Sequence, residues 1–323
     1  MTLLTSTYTL LADVGGTHTR CAVGTEKGLL AIEAFDNDRF DSLEALLHRY
    51  VARQKAQHGE VEEVILGVAG PVNGDRVDML NRDWHFMASD ISHAVGARQT
   101  RLINDFEALA YSLSMLPSDD VVQNGGNPTP SPYATKAVLG AGTGLGVSSA
   151  VWTGSRWLAV PGEGGHVTLA ANTEQEEALC RYLRDKYGHA SAERALSGAG
   201  LQNVYHFISK KEASPSAISE LAKAGDAEAL EVFALFFNLL ANVGANLALT
   251  LGASGGVYVG GGIVKKNQGL LNHQAFRTRF ENKGRYRHYL AKIPVYYIYS
   301  DTPALLGLYY LRQQARIELP LSD

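Results

Sequence analysis

The feature that most constrains this chain is a strand followed by a glycine-rich turn, two further strands and a helix, an order that occurs once in each half. In the first half, strands are predicted at residues 8–14, 20–23 and 29–35, with glycines breaking the runs. In the second half, they are predicted at 137–139, 147–152 and 156–160. Short apolar runs broken by glycine are typical of strands joined by tight turns. The repeated order predicts a duplicated α/β core, although the likeness is too weak to be a sequence repeat.

Helix starts are indicated by capping patterns. Asp41-x-x-Glu44 has the form of a capping box, and apolar residues follow it at helical spacing. Asn104-x-x-Glu107 has the same form and predicts a helix through Tyr111. Further helices are predicted from residue 174 onward.

The segments between these helices have distinct compositions. Residues 64–68 and 101–103 are apolar and predict inner strands of a partly parallel sheet. Residues 117–132 contain four prolines and two adjacent glycines, which predicts a linker or a long surface loop.

One uncharged stretch, residues 232–264, is long enough to span a bilayer. However, Asn238, Asn242 and Asn246 recur every four residues on one helical stripe, and such amides are costly when they face lipid. We therefore predict a helix buried in a soluble α/β domain, followed by a loop and a buried strand.

Length and charge narrow the class of protein. A chain of 323 residues predicts about two domains. Lys and Arg number 29 against 33 Asp and Glu, so the net charge is −4 and no nucleic-acid or membrane partner is expected. Residues 1–12 contain no Lys or Arg, which predicts a first strand and not an export signal.

Cysteine usage indicates the compartment. Cys21 and Cys180 are far apart and form no C-x-x-C pair, which predicts neither a disulfide framework nor a structural zinc site. A cytoplasmic location fits best.

Two glycine loops could bind phosphate. Asp13-Val14-Gly15-Gly16-Thr17 offers backbone N–H groups, a hydroxyl and a carboxylate suited to a Mg²⁺ shell, but it also fits a plain hairpin turn. The second loop, 140–146, has four glycines and Thr143, more than a turn needs. Neither loop matches the Rossmann or Walker A patterns.

Several polar residues are candidates for chemistry. Asp105 follows the predicted cap and could accept a proton from a substrate hydroxyl, or it could simply begin a helix. Glu163 and His166 flank two glycines, so a loop that bonds a polyhydroxylated ligand, or only itself, is favoured over a metal site. Glu193 could accept a hydrogen bond from a ligand hydroxyl, or it could be a solvated residue on a helix face.

The last glycine cluster ends a predicted strand. Gly260, Gly261 and Gly262 stand before a predicted helix, where a flat base could approach the backbone. Tight packing of helix against strand explains the same residues equally well.

Together these segments resemble bacterial glucokinases of the hexokinase/actin-like ATPase fold over nearly the whole chain. The resemblance rests on the following series: LADVGGT, GVAGPVNGD, LINDF, GAGTGLGV, PGEGGHV, SAERALSG and GGVYVGGGIV. It implies ATP-dependent phosphorylation of glucose at the 6-hydroxyl. The alternative is a sugar-binding regulatory protein of the same fold without kinase activity, which the presence of Asp105 argues against.

The resemblance also implies roles for individual residues. Asp105 matches the catalytic base, and the sugar ligands are Asn104, Asp105, Glu163, His166 and Glu193. The residues implied to bind ATP are Asp13, Gly15, Gly16, Thr17, Gly140, Gly142, Thr143, Gly144, Gly260, Gly261 and Gly262. ATP and Mg²⁺ are the implied cofactors, and glucose is the implied substrate.

The implied architecture is an α/β, two-domain, ribonuclease H-like fold with a cleft between a small and a large domain. The small domain comprises 1–114 plus 302–323, the large domain 115–301, and a homodimer is implied. Two departures are visible. His18 and Thr19 stand where the family usually has Asn and a small residue, and the cysteine-rich zinc motif of the repressor/open-reading-frame/kinase family is absent, so no bound metal of that kind is expected.

Overall fold

A computed structural model of the chain describes residues 6–79 and 82–318. The chain divides into two compact units. The first is Met1–Leu116, Thr153–Ala159 and Ser300–Asp323, and the second is Pro117–Trp152 and Val160–Tyr299. The domain limits expected from the sequence, 1–114 plus 302–323 and 115–301, remain a prediction. They differ from the two units in placing Thr153–Ala159 with the second part of the chain. The ends of that prediction, 1–5 and 319–323, lie outside the described residues.

Over residues 6–79 and 82–116, the chain forms two sheets and three α-helices. Its elements are β1 (Thr7–Val14), β2 (His18–Thr25), β3 (Gly28–Asp36), α1 (Leu43–His58), β4 (Glu60–Val68), β5 (Val72–Asn73), β6 (Arg76–Asp78), β7 (His85–Met87), α2 (Ala88–Val95), β8 (Gln99–Asn104) and α3 (Asp105–Ser112). The larger sheet has the order β3-β2-β1-β4-β8. β1, β2 and β3 are antiparallel, whereas β4 and β8 run parallel to β1. The predicted three-stranded meander and partly parallel sheet are confirmed.

One of the two predicted inner strands is at the edge. β4 lies inside the sheet, but β8 is the last strand in its order. Arg101 is exposed and Ile103 is the one buried residue of β8, as expected for a strand that pairs on one side. The prediction for 101–103 as an inner strand is therefore wrong.

The two predicted helix caps have different outcomes. Asn104 is the N-cap of α3, and its Oδ1 accepts from the N–H of Phe106 at 2.9 Å. The N-cap of α1 is Ser42 and not Asp41, because the Ser42 hydroxyl accepts from the N–H of Ala45 at 3.2 Å. A serine one residue later reaches the third helical N–H, so the predicted Asp41 box is wrong.

The sequence analysis missed the small sheet β5-β6-β7 and helix α2. The three strands have two or three residues each, too short for a periodic signal.

The rest of the chain forms a six-stranded sheet and eight helices among the described residues. Its elements are β9 (Val121–Asn124), β10 (Lys136–Ala141), β11 (Leu145–Trp152), β12 (Trp157–Gly162), α4 (Glu174–Tyr187), α5 (Gly198–Ser209), α6 (Pro215–Lys223), α7 (Ala227–Leu251), β13 (Gly256–Gly260), α8 (Gly262–Lys266), α9 (His273–Glu281), α10 (Arg287–Leu290), β14 (Val295–Ile298) and α11 (Pro303–Glu318). The sheet order is β12-β11-β10-β13-β14-β9. β10, β13 and β14 are parallel. The order β12-β11-β10 corresponds to β3-β2-β1 of the first sheet, and a helix follows the three strands in both halves, so the repeated order predicted from the sequence is confirmed.

The predicted loop at 117–132 is wrong in part. Val121–Asn124 forms β9, which pairs antiparallel with β14. The adjacent β-branched residues Val121 and Val122 favour a strand, and they outweigh the prolines on either side.

Helix α7 is long and apolar enough to cross a membrane, yet 72% of its most apolar window is buried inside the protein. Asn242 and Asn246 accept from the ammonium group of Lys283 at 2.5 and 2.6 Å. Burial lowers the pKa of Lys283. The prediction of a buried helix followed by a loop and a buried strand is confirmed. The amides of Asn242 and Asn246, which would be costly in lipid, are bonded within the protein.

Each unit has its own hydrophobic core. The first core lies between the larger first sheet, α1 and α2, and the second lies around α7. In the first unit, α11 packs closely against α3, because a Cβ on Gly307 would lie 1.7 Å from the carbonyl oxygen of Ala108. That contact fixes the helix that begins at Asp105.

Candidate active site

In the first unit, the carboxyl ends of three parallel strands lie side by side. Val14, Val68 and Asn104 are register partners across β1, β4 and β8. The N–H of Ala69 donates to the carbonyl of Val14 at 2.9 Å, which continues the pairing past the strand end. The first glycine loop and the Asn104-Asp105 pair therefore share one sheet edge, where open α/β sheets commonly bind ligands.

Asn104 and Asp105 are held by local hydrogen bonds. The Asn104 amide caps α3 and donates to the carbonyl of Gly70 at 3.1 Å. Asp105 is the first residue of α3, is half-buried, and its Oδ1 accepts from the N–H of Phe106 at 3.0 Å. The positive end of a helix stabilises a carboxylate at this position. Two residues on, burial raises the pKa of Glu107, and the carboxyl of Glu107 accepts from the Asn104 N–H.

The first glycine loop is a hairpin turn between β1 and β2. The N–H of Gly15 donates to the carbonyl of His18 at 3.0 Å. At the loop's start, the Asp13 carboxylate lies 3.5 Å from Arg20 and 18% of its side chain is exposed. Burial raises the pKa of Asp13, and the Arg20 guanidinium opposes that rise.

Two residues that the sequence analysis missed hold this loop. The Asn37 amide donates to the carbonyl of Gly15 at 2.8 Å and to that of Gly16 at 3.4 Å. Arg82 donates to the carbonyl of Gly16 at 3.3 Å. Neither residue belongs to a motif, because each reaches the loop from a distant part of the sequence.

The second glycine loop joins β10 to β11. The N–H of Gly142 donates to the carbonyl of Gly144 at 2.8 Å, and the carbonyl of Gly142 accepts from the N–H of Gly198 at 2.9 Å. A Cβ on Gly142 would have no neighbour within 4 Å. The loop therefore presents an open backbone surface of the kind that anions approach.

Glu193 is part of this loop's support. Its Oε2 accepts from the N–H of Leu145 at 2.9 Å, and a Cβ on Gly144 would come within 2.6 Å of the same oxygen. The alternative of a solvated helix residue is wrong, because Glu193 lies in a short 3₁₀ turn, is half-buried and is bonded to the backbone.

The third glycine cluster lies beside the second loop. Gly140 and Gly260 are register partners in the parallel pair β10–β13. Gly261 has φ +95°, and a Cβ there would lie 2.3 Å from the carbonyl oxygen of Ala141. Tight packing therefore explains Gly261. By contrast, Gly262 is open, with no atom within 4 Å of a Cβ placed on it.

Glu163 precedes a short 3₁₀ turn, Gly164–His166, and His166 is the last residue of that turn. The paired glycines predicted a loop here and not a regular helix. Their side chains are 3.8 Å apart and largely exposed. The turn is pressed on β11, since a Cβ on Gly165 would lie 2.0 Å from the carbonyl oxygen of Leu145. The next residue, Val167, accepts from the N–H of Ala192 at 2.9 Å, so the segments of His166 and Glu193 are adjacent.

A cavity of about 170 Å³ opens at this place. It is lined by His166, Tyr187, His189, Ser191, Glu193 and Arg194. Two of the predicted sugar ligands thus line one polar cavity in the second unit, whereas Glu163 stands beside it.

The predicted residues therefore fall into two groups. Asp13 to Thr17, Asn104 and Asp105 lie in the first unit, and the remaining candidates lie in the second. Within residues 6–79 and 82–318, no cluster of three His, Cys, Asp or Glu side chains forms a metal cage. The partly exposed Asp13 carboxylate fits Mg²⁺ in the manner usual for phosphate-bound magnesium, with one or two carboxylates and the rest from phosphate and water.

The architecture and the glycine loops define a sugar kinase of the hexokinase/actin-like ATPase class. A glucokinase from an Antarctic psychrotroph, solved by crystallography, superposes with a TM-score of 0.84 at 30% identity, over 95% of this chain and 99% of that one.

The glucokinase family profile matches residues 10–315, and the chain belongs to that family. A glucokinase of Yersinia enterocolitica is 40% identical over 320 residues, 96% of this chain and 98% of that protein. One of Chromobacterium violaceum is 42% identical over 307 residues, 93% of this chain and 87% of that protein. The resemblance inferred from the sequence is confirmed.

Proposed function

We propose that this protein transfers the γ-phosphoryl group of ATP to the 6-hydroxyl of glucose. Its membership of the glucokinase family supports the reaction. The observation that carries the proposal is the Asp105 carboxylate, which begins α3 at the sheet edge where the first glycine loop also lies. The regulatory alternative has less support, because residues 10–315 match the glucokinase family and the relatives at about 40% identity are glucokinases.

Asp105 acts as the general base. It accepts the proton of the 6-hydroxyl as that oxygen forms a bond to the γ-phosphorus, and the bond from that phosphorus to the β–γ bridging oxygen breaks. The electron pair of that bond leaves with ADP. Phosphoryl transfer needs little covalent help, so positioning of the hydroxyl by Asn104 and Asp105 supplies much of the protein's contribution.

The glycine loops bind the nucleotide. The first loop (13–17) and Gly140, Gly142, Thr143 and Gly144 surround the phosphates, and the open backbone at Gly142 and Gly262 supports this assignment. The donors to phosphate oxygens are the loop N–H groups that are not bonded within the protein, since the Gly15 and Gly142 N–H groups donate to the carbonyls of His18 and Gly144. Gly260 to Gly262 contact the adenosine. Mg²⁺, held by ATP phosphates with Asp13 nearby, neutralises phosphate charge when bound.

Glu163, His166 and Glu193 bind the sugar hydroxyls. Carboxylates accept hydrogen bonds and an imidazole can donate or accept them, so each of these side chains can bind a ligand rich in hydroxyl groups. Glu193 has one oxygen on the Leu145 N–H, and its carboxylate can accept further bonds from the sugar. It therefore links the sugar site to the second glycine loop.

The remaining parts of the proposal rest on the resemblance and on composition. We propose that the enzyme is a cytoplasmic homodimer that does not act on nucleic acid or membranes. Both cysteines are free and buried, as suits a reducing compartment, and the net charge of −4 suits a small-molecule substrate.

A coupled assay with ATP tests the function. We expect kcat/KM for glucose to exceed that for mannose and fructose, because those sugars cannot make every hydrogen bond that Glu163, His166 and Glu193 offer to glucose. A preference for either other hexose, or the absence of transfer to glucose, would contradict the proposal.

A further inference from the structure

Three successive carbonyls of the first glycine loop point to one side. Gly15 accepts from the Asn37 amide, Gly16 accepts from that amide and from Arg82, and Thr17 accepts from the backbone N–H of Asn37 at 2.9 Å. One face of the loop is thereby occupied by donors from two other segments.

The opposite face is set by peptide geometry. In a trans peptide the carbonyl and the following N–H point in opposite directions, and this chain has no cis peptide bond among its described residues. With the carbonyls of Gly15 and Gly16 held inward, the N–H groups of Gly16 and Thr17 point away from Asn37 and Arg82. Successive N–H groups on one side form a concavity that binds anions.

The orientation of the Asn37 side chain leaves one of its polar atoms without a hydrogen bond. Its side chain is fully buried, and its Oδ1 has no hydrogen-bond donor among the described residues. A buried amide oxygen without a donor is unfavourable. The side chain nevertheless keeps the orientation in which its amide donates to the carbonyls of Gly15 and Gly16. These two hydrogen bonds therefore outweigh the missing bond to Oδ1.

Arg82 brings a positive charge to the same place. Its guanidinium lies 4.5 Å from the centre of the Trp84 ring, pairs with Asp38 at 2.9 Å, and is 17% exposed. Because water is largely excluded there, this charge is screened less than that of a surface arginine.

We propose that Asn37 and Arg82 are positioning residues that clamp the first glycine loop in the shape that receives a nucleotide phosphate. The inference rests on the proposed function and assigns the orientation of the loop's N–H groups to two side chains outside every motif. Neither residue touches the nucleotide; each acts through the carbonyls of Gly15 and Gly16.

The test is the affinity for ATP in Asn37→Ala, Arg82→Gln and Arg82→Lys. ATP binding is measured by calorimetry, and KM for ATP and for glucose by the coupled assay. We expect the Kd and KM for ATP to rise about 5- to 20-fold in the first two variants, with KM for glucose within about twofold of wild type. Arg82→Lys, which keeps the charge and one donor, recovers part of the affinity.

Arg76→Gln is the matched control. Arg76 lies in β6, the strand that precedes the segment of Arg82, and it pairs with Asp78 at 2.9 Å, but both side chains are exposed. This variant keeps wild-type affinity for both substrates. The double variant of Asn37 and Arg82 loses less than the product of the two single effects, because both residues serve the carbonyl of Gly16.

The outcomes separate the clamp from the function. Unchanged ATP affinity in folded Arg82→Gln overturns the clamp, and so does an equal rise of both KM values, which would indicate a general loss of structure. If Asn37→Ala does not fold, the arginine variants still decide. Absence of glucose phosphorylation in wild type would overturn the proposed function, while calorimetry with ATP would still test the clamp.

Discussion

The two glycine loops have similar sequences but are supported in different ways. The first is held from behind by side chains, the Asn37 amide and the Arg82 guanidinium, which bond its carbonyls. The second is held by backbone, through the N–H of Gly198, and by the Glu193 carboxylate, which accepts from Leu145. A glycine-rich turn therefore does not determine its own shape; the neighbouring segments do.

This difference has a consequence for substitutions. The first loop should be sensitive to changes at distant polar residues, and the second to added side-chain volume within the loop itself. The sheets also differ at their edges. In the first sheet, β8 ends with Asn104 and Asp105 follows it directly, whereas the corresponding strand of the second sheet, β14, ends with the buried residue Ile298.

The largest expected effect concerns Asp105, the carboxylate that the first sheet has at its strand ends and the second sheet lacks at the end of β14. Asp105→Asn keeps the size of the side chain but removes the proton acceptor, so kcat should fall by about 10²–10⁴ with glucose still bound. Asp90→Asn is the control, since Asp90 is an exposed carboxylate in the first turn of α2 and should leave kcat unchanged. Turnover near the wild-type value in Asp105→Asn would remove it as the base.

The second prediction concerns added volume in the second loop. Gly142→Val places a branched side chain in the open space above the loop, where φ is not positive and no atom lies within 4 Å. The variant should fold, and its Kd for ATP should rise about 10- to 100-fold because phosphate cannot approach the backbone. Gly269→Val, also in open space, should bind ATP normally. Equal ATP affinity in both variants would make the second loop only a turn.

A smaller effect tests the link between the sugar ligands and the second loop. Glu193→Gln weakens the charge-assisted bond to the Leu145 N–H and the bonds to the sugar, so KM should rise for glucose and for ATP, each by about tenfold. Glu220→Gln, at an exposed ion pair with Lys223, is the control. A rise in KM for glucose alone would show that Glu193 does not support the loop.

The smallest effect concerns stability in the second sheet. Burial lowers the pKa of Lys136 to about 8. Lys136 stands five residues before the end of β10, and the residue at the same position in β1 is the uncharged Thr9. Because the folded pKa lies below the unfolded value, the unfolded state binds more protons between pH 8 and about 10.4, and the free energy of unfolding rises with pH in that window.

Lys136→Met should therefore stabilise the protein by about 1 kcal/mol at pH 7.5 and reduce the rise between pH 7.5 and 9.5, as measured by urea denaturation. Lys292→Met, at an exposed lysine, should change neither. If the free energy of unfolding of Lys136→Met rises with pH as steeply as that of wild type, another group is responsible for the titration.

Local signals predicted much of the fold. Asn104 caps its helix as its sequence pattern indicates, and the uncharged stretch containing Asn242 is a buried helix. Where two local signals competed, the prediction was wrong by a small margin: Ser42 replaced Asp41 as a cap because the hydroxyl one residue later reaches the helix N–H groups. The position of 101–103 at the sheet edge depends on pairing between distant strands, which periodicity does not record.

The candidate site shows the same division. The sequence by itself determined the residue types, the two glycine loops, the two strands that flank each loop, and the family. The tertiary structure alone decided that Asn37 and Arg82 hold the first loop, that Glu193 supports the second, and that His166 and Glu193 line one cavity. The physical reason is that backbone carbonyls and N–H groups have no residue-specific signature, so the partners that satisfy them are fixed by which segments folding brings together.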